Sequence, residues 1–305
     1  MSKPRGARRD AYRLPRKTDV SALFPFLMKR RCDSCVYYTV RIDVEPLFEC
    51  IERRKAQGEE FTFFPFTVAA VVKLLQEREG MNRYVMGRNL YQREDVTVGF
   101  VTKRDFTDEA EEMVVKAIFK KGTRFDEVIN KLKVRVKAIK EEGEPEDSFL
   151  VWMMGLPRFF LRLVVRFLWW LDFHGKLFSD LEKIDPLRCS VFLANLGSIG
   201  IEAPYHHLFE WGTCSIFAAI GRIQKMPVVV GDEIVLKTMV EVQVTLDERI
   251  ADGFYFARSL DILKGYFEDP DKMIDEMNAQ ADNMTDKDAR SADEHALDAE
   301  TLTSA

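Results

Sequence analysis

Four histidines occur in the 305-residue chain, and two are adjacent: Tyr205-His206-His207, with Glu210 three residues on. Imidazole exchanges a proton near neutral pH without help, so this pair suits general base catalysis or, equally, two ligands of a metal. Histidines that merely cap a loop would look the same in sequence, and that reading stays open. His174 borders an aromatic segment and His295 falls in an acidic stretch. Cys32-Asp-Ser-Cys35 has the spacing of a zinc knuckle, but zinc needs two further ligands and no second Cys pair or His-x-His cluster accompanies it. It also runs into a strand, whereas a thioredoxin-type pair opens a helix. The five scattered cysteines are therefore read as reduced thiols, and no metal is expected. Ser198, Thr213 and Cys214 complete the set of candidate nucleophiles or donors.

These residues need a scaffold, and hydrophobic periodicity supplies one. Val240 to Leu246 alternates as a strand, Asp252-Gly253 forces a turn, and Phe256, Leu260 and Leu263 recur at helical spacing. Upstream, Val36 to Val44 alternates and feeds a helix bearing Val44, Leu47, Phe48 and Ile51. Pro65 opens a second helix, Phe66 to Glu77, that is apolar on nearly every side and so belongs inside a domain against a sheet. Met86-Gly87-Arg88-Asn89 predicts a hairpin, Val96 to Val101 and Met113 to Phe119 further strands, and Thr123 to Glu142 an amphipathic helix. Cys189 to Leu193, Ser215 to Ile223 and Ile234 to Leu246 return to sheet. The pattern is that of a two-layer α/β sandwich.

Several of these segments, in the same order, resemble the catalytic domain of the 2-oxoacid dehydrogenase (dihydrolipoamide) acyltransferases and, more widely, the chloramphenicol acetyltransferase-like superfamily. Tyr38-Thr-Val-Arg-Ile-Asp-Val44 is similar to that family's first long strand, Phe66 to Leu75 followed by Asn82 to its first core helix, and Val96 to Val101 to a central strand. Ala194-Asn-Leu-Gly-Ser-Ile-Gly200 looks like its Ser-Asn-Leu-Gly segment, and Ile220-Gly-Arg-Ile223 with Pro227 and Val228 like the strand that follows. Glu248-Arg-Ile-Ala-Asp252-Gly253 stands where the family has His-x-x-x-Asp-Gly. The likeness runs from about Val36 to Phe267.

The resemblance implies a chloramphenicol acetyltransferase-like fold, a homotrimer, and acyl transfer from a coenzyme A thioester, with coenzyme A as substrate and no metal. In the family the His is the general base, working across a subunit boundary, and the Ser before Asn-Leu-Gly donates to the oxyanion. Here those places hold Glu248 and Ala194. A carboxylate is about two pKa units less basic than imidazole, and loss of one oxyanion donor costs about 10²- to 10³-fold in rate. The family's Asp is structural, pairing with an Arg to hold the corner, a role that would fall to Asp252; its Gly, here Gly253, permits the turn. Candidate catalytic residues are thus Glu248, Asn195, His206 and His207, with Gly197 and Ser198 toward the cofactor. No lipoyl domain precedes the catalytic-type region in the sequence given, so there is no bound lipoyl group and the acceptor is expected from outside. Two functions stay open: an acyltransferase with Glu248 as base, or a fold-retaining binding or scaffold protein.

Charge is graded. The net charge of -5 hides ten Lys or Arg against two Asp in residues 1–31 and twelve acids against three bases in residues 268–305. A basic arm (1–20), a domain (21–268) and an acidic disordered tail (269–305) are expected. The arm carries no apolar run of leader length and no interleaved aromatic platform, so a cytoplasmic protein that does not bind nucleic acid is expected. Within the domain, residues 148–178 form an aromatic helical insert containing Phe159-Phe-Leu-Arg-Leu-Val-Val-Arg-Phe-Leu-Trp-Trp-Leu171. Arg158, Arg162 and Arg166 share one face, which opposes a membrane-spanning helix at about 2.5–3.5 kcal/mol per cation. Phe149 to Phe178 is expected either to pack in the domain or oligomer, its arginines paired to acids, or to lie on a membrane surface.

Overall fold

The computed structural model describes residues 8–16, 18–103, 112–142 and 152–284. A short strand β1 (Ala11–Arg13) is followed by a single helical turn α1 (Phe24–Leu27), β2 (Cys35–Asp43), α2 (Glu45–Lys55) and α3 (Phe63–Glu77). Next come β3 (Arg83–Met86), β4 (Asn89–Arg93), β5 (Val96–Lys103), β6 (Glu112–Phe119) and α4 (Phe125–Glu142). The chain then forms α5 (Arg158–Phe173), α6 (Ser179–Ile184), β7 (Val191–Asn195), β8 (Ile216–Val230), β9 (Glu233–Asp247) and α7 (Gly253–Glu268). A last helix, α8, spans 270–284.

One sheet dominates, in the order β2-β9-β8-β7-β5-β6, with β7 parallel to both its neighbours and the other pairs antiparallel. Its inner face carries Val40, Ile42, Val98, Leu193, Ile220, Val240 and Val242 against the helix layer. Ten consecutive residues of α3, Phe66 to Leu75, are buried, because α4, α7 and the sheet surround it. β8 and β9 form one long hairpin, not two shorter strands: β8 runs on through Pro227, and β2 covers β9 only from Met239 onward. Pro227 is tolerated because it lies in the free two-stranded ribbon. Val229, Val230, Ile234 and Leu236 near the ribbon's tip are exposed.

A second sheet, β1-β4-β3, contains the expected hairpin. Gly87 and Arg88 both have positive φ (56° and 62°), as a two-residue turn of the twist-matched kind requires. Arg88 is the one non-glycine residue with positive φ among the described residues.

The basic arm is docked on the domain: β1 pairs with β4, and the buried Arg8 guanidinium reaches the Asp172 carboxylate at 3.1 Å. Residues 1–7 lie outside the described residues. The expected disorder does not begin at 269. Asp269-Pro270 resembles a helix exit but is an N-cap followed by proline at the first helical position, and the Asp269 carboxylate accepts the Lys272 N–H at 3.1 Å. Met273, Ile274, Met277 and Ala281 line one buried face of α8. Its acids are docking partners: Asp271 meets Arg54 at 2.8 Å and Glu276 meets the buried Lys73 ammonium at 3.2 Å. Residues 285–305 lie outside the described residues.

Of the aromatic insert, 148–151 lie outside the described residues, and α5 is its main element. Leu168 and Leu171 pack with Leu177, Leu181 and Trp211, and the helix stops where Gly175 takes a left-handed conformation. Arg158, Arg162 and Arg166 are exposed and make no ion pair among the described residues, so the expected pairing to acids is not found there. No helix among the described residues is long and apolar enough to cross a membrane.

Because Ile274 is fully enclosed, Ile274→Ala should lower stability by about 2–5 kcal/mol in urea unfolding. A change under about 0.5 kcal/mol, the size typical of surface substitutions, would contradict the docked helix.

Candidate active site

The corner at the end of β9 is organised by a carboxylate that periodicity did not single out. Asp247 is completely buried. Its Oδ1 accepts from Ser34 Oγ (2.9 Å), the Arg249 N–H (3.1 Å) and Arg249 Nε (2.8 Å), and its Oδ2 accepts from Arg249 Nη2 (2.7 Å). Arg31 stands on the same carboxylate at 3.9 Å. Its other nitrogens donate to the carbonyls of Phe209 (2.6 Å) and Gly212 (3.1 Å), tying the 205–214 loop to the corner. Burial lowers the Arg31 pKa against the pull of Asp247, whereas at Arg249 burial is outweighed by the Asp247 hydrogen bonds and charge, and its pKa rises.

Glu248 follows directly. Its N–H donates to the Ser34 carbonyl at 2.9 Å, fixing the backbone, while its half-buried carboxylate makes no hydrogen bond or ion pair among the described residues. Among the described residues Asp252 does not pair with an arginine, as the resemblance implied it would. It is exposed and caps α7, accepting the Tyr255 N–H at 2.8 Å. Gly253 is not required by a turn either: its φ is not left-handed, and an added Cβ would meet only the Tyr38 hydroxyl at 3.8 Å.

The Ala194-Asn195-Leu196-Gly197-Ser198 segment ends β7 and enters a 3-10 turn, Leu196–Ile199. A Cβ on Gly197 would collide with the Gly221 carbonyl, so glycine there serves close packing of the turn on β8. Ser198 Oγ donates to the Asn195 carbonyl at 2.7 Å. Strand register separates this segment from the corner: Ala194 lies beside Ala219, which lies beside Gln243, five residues before Glu248.

The structure does bring the histidine pair to the Glu248 end of the sheet. The His206 ring stacks on Phe217 at 4.0 Å, and its carbonyl accepts from Thr245 Oγ1 at 2.5 Å, three residues before Glu248. His206 Nδ1 lies 2.6 Å from the His207 carbonyl, and His207 Nδ1 lies 2.9 Å from the Leu208 carbonyl. A carbonyl only accepts, so each Nδ1 carries a proton. Burial, then Glu210, pushes the Cys32 thiol up to about 11, which leaves it protonated at neutral pH beside His207. Glu210 itself accepts the N–H groups of Cys32 (2.8 Å) and Arg31 (3.2 Å). Burial opposes its charge, but those N–H groups prevail and hold its carboxyl below the ordinary range. Thr213 Oγ1 accepts from the buried Arg93 at 2.6 Å, and the buried Cys214 thiol donates to the Ile216 carbonyl, so both are framework. Among the described residues no group of three or more His, Cys, Asp or Glu is placed to hold a metal.

Comparison with known proteins bears on the fold. The family model described as the 2-oxoacid dehydrogenases acyltransferase (catalytic domain) matches residues 185–274, which include β7, β8, β9 and the corner. No curated protein matches the chain. Among solved structures, a probable dihydrolipoamide acetyltransferase from Listeria monocytogenes superposes with a TM-score of 0.54 at 14% identity, covering 83% of this chain and 94% of that one. The cubic core of a pyruvate dehydrogenase multienzyme complex gives 0.51 at 16% identity, covering 83% and 88%. A chloramphenicol acetyltransferase gives 0.51 at 12% identity, covering 84% and 99%. The chain has the chloramphenicol acetyltransferase-like acyltransferase fold.

Removing the central carboxylate would strand two buried guanidinium groups. Asp247→Ala should therefore cost about 3–5 kcal/mol in chemical unfolding, against about 1 kcal/mol for the cap variant Asp252→Ala. The reverse order would show that the family's aspartate position holds the corner after all. The depressed Glu210 carboxyl stabilises the fold above the ordinary Glu range near ~4.3 and loses that contribution as pH falls through its lower folded value. Glu210→Gln should accordingly flatten the acid limb of a stability–pH curve, and an unchanged limb would contradict the assignment.

Proposed function

We propose that this protein is a cytoplasmic acyltransferase that takes an acyl group from a coenzyme A thioester, with Glu248 as its general base. One observation carries the reading: at the corner where the family places its histidine, a half-buried carboxylate makes no hydrogen bond or ion pair among the described residues, while the carboxylate beside it is fully engaged. Glu248 would take the proton from an incoming thiol, hydroxyl or amine as that atom attacks the thioester carbonyl. The tetrahedral oxyanion then needs a donor. Ala194 offers none from its side chain, and the Ser198 hydroxyl already donates to the Asn195 carbonyl, so the Asn195 carboxamide is assigned the role.

Glu248 and Asn195 lie apart within one chain, so the reading requires a second copy to complete the site. A homotrimer is proposed on that ground. The long β8–β9 ribbon, with its exposed Val229, Val230, Ile234 and Leu236, supports it as an arm reaching a neighbour.

A second reading is favoured by a different observation. The altered base and the missing hydroxyl, together with the exposed aromatic face of α5, fit a fold-retaining binding protein at a membrane surface.

Thiol release from acetyl-, butyryl- and palmitoyl-coenzyme A, with and without dihydrolipoamide, tests the enzyme reading. Glu248→Gln should reduce turnover by at least 10²-fold, the lower end for loss of a general base, while fold and assembly persist. Turnover that survives in Glu248→Gln but is lost in His206→Ala would transfer the role to the histidine. No turnover with any donor, from folded protein, would favour the binding reading.

A further inference from the structure

The face around α5 carries more than exposed aromatics. Seen down the helix, its side chains fall into three sectors. Val164, Leu168 and Leu171 face the domain, and Arg158, Arg162 and Arg166 form a cationic stripe. The third sector holds Phe159, Phe160, Leu163, Phe167 and Trp170, which are 65%, 55%, 49%, 54% and 51% exposed. A soluble helix in a single chain would turn that third sector inward. An apolar aromatic sector flanked by arginines that make no ion pair among the described residues is instead the distribution of helices that lie in the headgroup layer of a bilayer.

A basic pocket adjoins the helix. The Phe173 carbonyl at the end of α5 packs against Gly87, where an added Cβ would collide with it. The next residue, Arg88, lines a cavity of about 120 Å³ together with Arg13, Arg16 and Phe26. No acidic side chain lines that cavity, and none of these three arginines makes an ion pair among the described residues. The Arg16 and Arg88 guanidinium carbons lie 5.5 and 5.6 Å from the Phe26 ring centroid, so both are drawn to one spot. Arg249 also borders the cavity, but its charge is held by Asp247. Arg88 occupies a left-handed backbone position that suits glycine or asparagine better, so its side chain is retained against a local strain. At roughly 30 Å³ per water, the cavity holds a few waters or one phosphate group. Leu23 and Leu27, in the segment that carries Phe26, are exposed as well.

We infer that this face docks on an anionic lipid bilayer, with the α5 aromatics in the acyl boundary, the Arg158-Arg162-Arg166 stripe on the surface charge, and one lipid phosphate seated among Arg13, Arg16 and Arg88. The inference deepens the membrane-surface reading given above and rests on it. It adds the charge class of the lipid and a headgroup site. Charge complementarity selects the occupant: six arginines that make no ion pair among the described residues accompany exposed apolar side chains, which fits phosphates above hydrocarbon.

The test is sedimentation of the full chain with phosphatidylcholine vesicles and with phosphatidylcholine–phosphatidylglycerol vesicles, alongside tryptophan emission. Binding should be confined to the anionic vesicles and should shift the emission of Trp169 and Trp170 to the blue. At about 1 kcal/mol per arginine near an anionic surface, the triple variant Arg158→Gln, Arg162→Gln, Arg166→Gln should bind about a hundredfold more weakly, and Arg13→Gln, Arg16→Gln, Arg88→Gln similarly. Phe160→Gln with Phe167→Gln should abolish binding with no change in circular dichroism. Equal binding to both vesicle types would overturn the anionic headgroup site and leave the membrane reading standing. No binding to either would overturn both. Binding of inorganic phosphate without vesicle affinity would assign the pocket to a soluble anion. A lower mass by light scattering for the Phe160→Gln, Phe167→Gln variant would assign the face to a second copy.

Discussion

A single buried carboxylate sets the geometry of the candidate site. Asp247 lies at the end of the longest strand pair, fully out of water, and the two guanidinium groups of Arg31 and Arg249 meet on it. Charges in that environment persist only when well paired, and here each partner also anchors backbone. Arg31 holds the 205–214 loop, Arg249 reaches the Met28 carbonyl at 3.0 Å, and Ser34 links both to β2. The Glu248 carboxylate and the His206-His207 loop are therefore positioned by the same ion cluster, although none of them belongs to it.

Much of the framework was legible in the sequence because it obeys simple periods. The all-round apolar α3 had to be interior, the Gly87-Arg88 turn had to close a hairpin, and the strand–corner–helix unit lies where alternation gave way to helical spacing. The corner's mainstay was not legible. Nothing in a linear string separates the buried Asp247, at the end of an apolar strand, from the exposed cap Asp252 five residues later, since burial is decided by Arg31, more than two hundred residues away. Resemblance pointed to the wrong one of the two.

The acidic end of the chain was misread for a related reason. Charge-rich segments look solvated until their partners are known. Arg8 in the arm meets Asp172, and Asp271 and Glu276 beyond the proline meet Arg54 and Lys73. The stripe of Met273, Ile274, Met277 and Ala281 was the available signal, and overall acidity masked it. At α5 two readings were open, and the acidic partners that one of them gave its arginines are not found among the described residues.

The fold itself thus survives changes that alter its chemistry, since the corner is held by Asp247 and not by the residues that would react. The central proposal is that Glu248 from one copy and Asn195 from another form one site. Co-refolding Glu248→Gln with Asn195→Ala chains and measuring thiol release tests that most directly. Mixed assemblies should recover turnover that neither variant shows alone, because some interfaces would then carry both native residues. Inactive mixed assemblies, from chains whose wild-type form turns over and whose mixing is verified by mass, would contradict a site shared between copies.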